Sequence, residues 1–561
     1  MRRLRTTALF SLLIPALTFA QAGSLESKLD KVFEPWNHSN TPGGVVGIVK
    51  DGKLVYTKAF GMASLELNAP LTVDSTMDIG SVSKQFTAMS ILLLEEEGKL
   101  SLDDEIQKYV PEVPKYSKPI TIRHLLSHTS GLRDYLTLFA LTGWDLNGYI
   151  SNEQALDMMS RQKGFNFLPG TSWNYCNSGF MICAQIVKRV SGQSLGAYAK
   201  SHIFTPLGMT NTRFDDDNTA VVPRRAKSYR LDPFGVWRLV DSRQEIAGDG
   251  GVLTTLSDFA KWDANFSKNT LGKGDQNLIK KMETATKLVN GASSGYGLGL
   301  FIDSYKGLPR IQHGGDWLGF NALYTRYKDQ KVSIFTFSND GTQNGKSLND
   351  QVADIMMADV IKKDAPKTDA PKTGEVELTA EMKKKLAGRW KLAVMGTTQF
   401  LTISEKNGKF SMQVDGQPPF QLYARDAKTF FIKEVEFSAT FEKEKDGKFE
   451  AGTFAQVSGS QTIKGTLERA ADFAATEEMI DAIAGTYYCS DLGVNYTLSR
   501  KGKQLMMAIG KGEAGPITLV SEKKVSAGPM SAEFVVDAGG KYTGFTLNAG
   551  RANNLVFTRI K

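Results

Sequence analysis

Apolar positions follow mixed periods up to about residue 361, then settle into a short alternating pattern from residue 376 to the end. In the first stretch, Gly44 to Val49 and Leu54 to Lys58 are β-type runs flanking Asp51-Gly52, which predicts a hairpin. A helix is expected from near Ser81 to Glu97, closed by Gly98. Phe320 to Tyr327 and Val332 to Phe337 read as adjacent antiparallel strands. Residues 362–375 are polar, lack any apolar period and carry a tandem Asp-Ala-Pro-Lys-Thr, so they are expected to be a linker. Beyond it a weak repeat is visible. Leu386-Ala387-Gly388-Arg389-Trp390 echoes Ile483-Ala484-Gly485-Thr486-Tyr487, and Leu467-Glu468-Arg469 echoes Phe557-Thr558-Arg559. The pattern thus divides the chain into a mixed region at 23–361 and two small antiparallel barrels at 376–470 and 478–561.

The first residues have a different texture. Met1-Arg2-Arg3-Leu4-Arg5 is basic, Ala8 to Ala20 is apolar apart from Ser, Thr and Pro15, and Ala20-Gln21-Ala22 fits a small-x-small cleavage site. Residues 1–22 are therefore expected to be a signal peptide, directing the protein to the periplasm or the exterior. The run falls short of the roughly 20 apolar residues that span a bilayer, so no stable membrane span is expected. With 561 residues, 41% hydrophobic and 23% charged, the chain is globular and long enough for several domains. Its net charge of +8 includes the three arginines of the signal. The other basic residues are interleaved with acids, which argues against a nucleic-acid partner. Cys176, Cys183 and Cys489 make no disulfide framework and read as small buried residues.

The chemistry begins at Ser81 and Lys84. Three apart on a helix, they share a face, and an amine beside a hydroxyl is the pairing an acylating serine needs. Ser81 sits at the helix start, where free N–H groups and the dipole favour developing negative charge. Lys84 acts as a base only if its pKa falls from about 10.4 to near 7, which asks roughly 4–5 kcal/mol of burial or of a cationic neighbour. A second element, Tyr175-Cys176-Asn177, supplies a phenol to shuttle the proton and an amide to hold Lys84 and substrate. A third, Ile311-Gln312-His313-Gly314-Gly315-Asp316, runs into the strand pair at 320–337, and its glycines allow a substrate backbone to approach. An N–H here, with that of Ser81, would form an oxyanion hole worth about 3–4 kcal/mol per donor.

Ser-x-x-Lys, Tyr-x-Asn and His-x-Gly in this order resemble the three motifs of the penicillin-recognising serine hydrolases. That group includes class C β-lactamases, D,D-peptidases, related esterases and D-aminopeptidases. Ile122 to Leu132, Pro206-Leu207-Gly208-Met209 and Gly250 to Thr255 also resemble the family. The resemblance covers about 27–360 and implies an α+β domain, an antiparallel sheet flanked by helices plus an all-helical region. The two β-domains behind it are similar in order to the eight-stranded lipocalin-like domains of bacterial D-aminopeptidases. By the resemblance, Ser81 is the nucleophile, Lys84 its base and Tyr175 the proton shuttle. Asn177, His313, Gly315 and Asp316 bind substrate, the Asp316 N–H joining that of Ser81 in the oxyanion hole. No cofactor or metal is implied, and the partner is a small-molecule or peptide substrate. His313 stands where many relatives carry Lys. A histidine of pKa about 6.5 is charged in only about a quarter of molecules at pH 7, which weakens attraction for a substrate carboxylate. D-amino-acid amides, peptides or esters are therefore expected ahead of β-lactams or D,D-carboxypeptidase substrates. A non-catalytic cell-wall or ligand-binding protein is the alternative of another class.

Some literal matches are discounted on context. Lys372-Thr373-Gly374 falls in the expected linker. Gly192-Gln193-Ser194-Leu195-Gly196 follows a helical pattern instead of the strand a nucleophile elbow needs, so Ser194 is expected to cap a helix. His124 and His128 have ligand spacing without a third ligand and read as structural.

Overall fold

The computed structural model of the protein describes residues 24–232, 234–342, 345–361, 375–394, 397–406, 408–414, 419–433, 437–458, 461–470, 473–527 and 530–561. The expected signal peptide and nearly all of the expected linker, Lys372-Thr373-Gly374 included, lie outside these residues.

Both ends of the first region contribute to one antiparallel sheet. β1 (Gly44–Lys50) and β2 (Lys53–Phe60) form the expected hairpin, with Asp51 and Gly52 both at positive φ, 50° and 73°. β3 (Phe301–Tyr305), β4 (Leu308–Trp317), β5 (Phe320–Tyr327) and β6 (Val332–Ser338) complete it in the order β3-β4-β5-β6-β1-β2. β1 pairs with β6 from Gly44↔Ser338 to Lys50↔Val332. The helices that bear on the site and its support are α1 (Leu25–Val32), α2 (Lys84–Glu96), α3 (Tyr135–Leu141), α4 (Asn177–Ser191), α5 (Leu256–Ser267) and α6 (Gly345–Met356).

β1 is apolar on nearly every residue because both of its faces are covered. Val46 and Ile48 pack with Leu29 of α1 and Val352 of α6, while Val45 and Val49 face the main core with Phe86 of α2 and Phe259 of α5. Every residue of α2 from Lys84 to Leu94 is buried, so its start lies at the centre of the domain. Ser194 caps the helix Leu195–Ala199 by accepting from the Ala197 N–H, as expected from its helical context.

The C-terminal half holds two β units. The first is a nine-stranded sheet between Gly388 and Arg469. Its edge strands, Phe420–Gln421 and Tyr423–Ala424, are separated by Leu422 alone, so the sheet curls until its two edges adjoin. A break at Leu422 thus gives nine strands where eight were expected. The second is a closed barrel of eight strands between Gly485 and Arg559.

The sequence repeat marks how each barrel is plugged. A short helix, Ala380–Leu386 or Glu477–Ile483, precedes the first strand. The Trp390 indole donates to Leu386 O at 3.0 Å, and the Tyr487 hydroxyl donates to Ile483 O at 2.7 Å. Arg469 donates to Lys385 O and Ala387 O, and Arg559 to Ala482 O and Ala484 O. The last residue of each repeat unit therefore ties down the carbonyls at the end of its own plug helix.

Candidate active site

Ser81 lies in a 3-10 turn, Gly80–Ser83, that feeds directly into α2. Gly80 has φ 48°, and a Cβ there would lie 2.8 Å from Asp316 N. Gly315 faces it from β4, where a Cβ would lie 2.0 Å from Ile79 O and 3.0 Å from Ser81 N. Two glycines thus let β4 approach the serine turn closely enough to bring the Ser81 and Asp316 amides to one place.

Lys84 is fully buried, and its Nζ has three partners: Ser81 Oγ at 3.0 Å, Asn177 Oδ1 at 2.9 Å and the Asp249 carbonyl. Two of these oxygens can only accept. A neutral amine that spends its two N–H groups on Asn177 and Asp249 keeps its lone pair for the third direction, that of the Ser81 hydroxyl. Burial lowers the Lys84 pKa, opposed by Asp249 and Asp134 and assisted by the cation of Arg551. Asp249 is pushed the other way by burial and is held by the Tyr135 hydroxyl at 3.0 Å.

The Tyr175 hydroxyl is buried beside Ser81 and closes no hydrogen bond within 3.5 Å among the described residues. Burial raises its pKa, with Ser81 and Arg551 opposing. Its ring lies 4.1 Å from that of His128, whose Nδ1 accepts from Cys176 N at 3.1 Å. His128 is thus a wall of the tyrosine's socket, and His124 serves in the capping box of the helix Ile122–Leu126. The structural reading of both histidines agrees with these positions. The residue at the α4 N-cap is Cys176, without a side-chain cap; Asp134 Oδ2 takes the Asn177 N–H at 2.7 Å from outside. Asn177 is therefore free to turn its amide to Lys84.

His313 lines the same cleft but differs from expectation in charge. It is 1% exposed, its Nδ1 contacts Gly314 O at 2.6 Å and its Nε2 contacts the Tyr296 hydroxyl at 2.9 Å. A carbonyl only accepts, so Nδ1 carries the proton and Nε2 takes the phenol's. Burial, then the Lys84 charge, press the pKa to about 3. The expectation of a quarter-charged imidazole is corrected: His313 is neutral at pH 7. Gly315, expected to bind substrate, is not among the residues that line the cleft; it packs against Ile79 and the Ser81 amide.

Ser81, Tyr175, Asn177, His313 and Asp316 line one cleft of about 750 Å³. The Beta-lactamase family matches residues 29–356, more than half of the chain. The chain belongs to the Beta-lactamase family. It is 30% identical over 334 residues to a penicillin-binding protein of Bacillus subtilis, covering 55% of this chain and 71% of that one. It is 31% identical over 303 residues to a D-aminopeptidase of Brucella anthropi, covering 54% of this chain and 57% of that one. Among solved structures, the octameric penicillin-binding protein homologue from Pyrococcus abyssi shares the fold with a TM-score of 0.56 at 23% identity. That likeness covers 79% of this chain and 99% of the other.

Within this Beta-lactamase-family site, sequence reasoning missed Asp134, Asp249 and Arg551. Asp134 and Asp249 had only general signals, an N-cap position before α3 and a glycine-rich approach to the strand Val252–Thr254. Arg551 had none. It belongs to the turn between the last two strands of the second barrel, and its guanidinium lines the cleft 4.8 Å from the centre of the Tyr175 ring. Among the described residues no helix is long and apolar enough to cross a membrane.

Proposed function

We propose that this protein is a serine hydrolase that cleaves amide, peptide or ester bonds of D-amino-acid compounds through an acyl-enzyme. The observation that carries the reading is the Lys84 amine, buried and aimed at Ser81 with two pure acceptors fixing its protons. Ser81 Oγ attacks the substrate carbonyl carbon as Lys84 takes the hydroxyl proton. The oxyanion is held by the Ser81 and Asp316 N–H groups. Tyr175 relays the proton to the leaving nitrogen or oxygen, and the bond to the leaving group breaks. Water then attacks the ester by the reverse relay and frees Ser81. The similarity to a D-aminopeptidase supports D-amino-acid substrates. The basic, then apolar, N-terminal residues support export to the periplasm or the exterior.

The test is turnover of D- and L-alanine p-nitroanilides, a p-nitrophenyl ester and a chromogenic cephalosporin by wild type and Ser81→Ala. Ser81-dependent turnover of the D-anilide above the L-anilide is expected, with a serine-linked acyl adduct by mass spectrometry. Because the base must be neutral, kcat/KM should rise with pH through the Lys84 pKa, on a limb below the usual lysine value of about 10.4. No adduct and no turnover on any substrate would refute the reading.

A further inference from the structure

With His313 neutral and the Lys84 amine committed to three oxygens, one other cation lines the cleft among the described residues, and it comes from the second barrel. Arg551 occupies a two-residue turn after Ala549, with Gly550 at φ 61° in the first position. The Arg551 carbonyl accepts from Asp134 N at 3.0 Å and from Asn166 Nδ2 at 2.9 Å, which clamps the turn onto the loops beside Tyr175. The side chain is exposed into the cleft and rests on the Tyr175 ring. Its guanidinium has no hydrogen bond or ion pair with any described residue.

That state is unlike that of its neighbours. Arg133, in the same interface, meets Asp491 Oδ2 at 2.7 Å, Gln162 Oε1 at 3.0 Å, Asn553 O at 2.8 Å and Asn554 O at 2.7 Å. Arg225, near the cleft rim, pairs with Asp215. Asp316 lies in the same cleft without reaching Arg551. A guanidinium with a fixed backbone, five unspent donors and a tyrosine face beneath it is arranged to receive a planar anion.

We propose that Arg551 is a specificity-determining residue that binds a carboxylate of the substrate. The inference rests on the acyl-enzyme reading above and narrows it: the preferred substrates are D-amino-acid peptides bearing a free acid group, not simple D-amino-acid amides. The acid could sit on the leaving amino acid or on the acyl portion, and the chemistry at Arg551 is the same. The cation lost at His313 is thereby supplied from another domain.

The test uses two matched pairs with the full-length protein. One pair is N-acetyl-D-alanyl-D-alanine and its C-terminal carboxamide; the other is the N-succinyl and N-acetyl forms of D-alanine p-nitroanilide. Wild type should favour the acid member of at least one pair by about 10–100-fold in kcat/KM. Arg551→Gln should bring that ratio to near one, and Arg551→Lys should keep part of it. The pair that responds identifies where the acid sits. Ratios near one in wild type for both pairs, or a ratio that Arg551→Gln leaves intact, would overturn the inference. So would an equal loss on both members with the acid limb of the pH profile moved up, since Arg551 would then act only on the Lys84 charge. Calorimetric binding of the same pairs to Ser81→Ala keeps the two readings apart. An acid preference there that Arg551→Gln removes supports the anion site even without turnover, and no preference in binding overturns it.

Discussion

The barrel that ends at Arg469 and the barrel that ends at Arg559 carry the same closing device, a plug helix tied down by the final arginine. Their surroundings differ. Leu386, Trp390, Phe441 and Leu467 of the first barrel form a core with their own neighbours alone. Tyr487, Cys489, Leu492 and Phe557 of the second belong to one continuous core with α2, α3 and α4 of the hydrolase. The second barrel also sends its last hairpin to the cleft and receives the buried Arg133 in return. One pattern of strands has thus yielded an appended unit and an integral one. The difference lies in a few interface residues and not in the barrel itself.

The largest test of that contrast is deletion. Excising 375–470 should leave a folded hydrolase with ester turnover within about twofold of the full chain, because no part of the shared core is removed. Ending the chain before the second barrel should strip the cover from Leu138, Leu141 and Met158, and the product should aggregate or lose cooperative unfolding by circular dichroism. Equal tolerance of both deletions would break the comparison.

This contrast also shows what the sequence could and could not reveal. The strand texture, the repeat and the plug residues are local, and they were legible. So were Ser81, Lys84, Tyr175 and Asn177, since each motif places its residues at or just before a helix start by short-range rules. Lys84 needed no sequence hint of its acceptors beyond Asn177; the Asp249 carbonyl arrives because the strand Val252–Thr254 pairs with Met77–Asp78 just before Ser81. The charge of His313 was misjudged because burial against Tyr296 is a tertiary fact. Arg551 was invisible for a stronger reason. It lies 376 positions from Tyr175 in a turn whose residues follow barrel rules, and only docking gives it a role.

An intermediate effect is expected from two arginines, the buried Arg133 and the half-buried Arg469. Arg133→Ala leaves Asp491, Gln162 and the carbonyls of Asn553 and Asn554 short of donors in a largely buried interface, at a cost of about 3–5 kcal/mol. Thermal unfolding and loss of ester turnover should shift down together, because the same event loosens Arg551. Arg469→Ala removes the tie to Lys385 O and Ala387 O and the stacking over Trp390 at 4.5 Å, about 2 kcal/mol. It should lower a transition belonging to the first barrel and leave the temperature of activity loss unchanged. If Arg469→Ala moved that temperature, the first barrel would not be a separate unit.

The smallest expected effect is the sharpest probe of whether the second barrel and the hydrolase unfold as one. The Tyr496 hydroxyl, inside the barrel core, donates to Leu141 O at 2.8 Å, the last carbonyl of α3. Tyr496→Phe keeps the ring packing against Phe557 at 4.5 Å and removes only that donor. The cost is about 1 kcal/mol, with Tm lower by about 2 °C for a unit of this size. Tyr487→Phe removes an equivalent bond, to Ile483 O, that lies wholly within the barrel. If barrel and hydrolase share one cooperative transition, both variants lower it by similar amounts, and ester turnover fails at the same reduced temperature in each. If the barrel unfolds alone, Tyr487→Phe lowers only a barrel transition while Tyr496→Phe also touches the enzyme. Two scans and two inactivation curves separate these outcomes. The continuous core running from Phe86 through Tyr135 to Tyr496 favours the first.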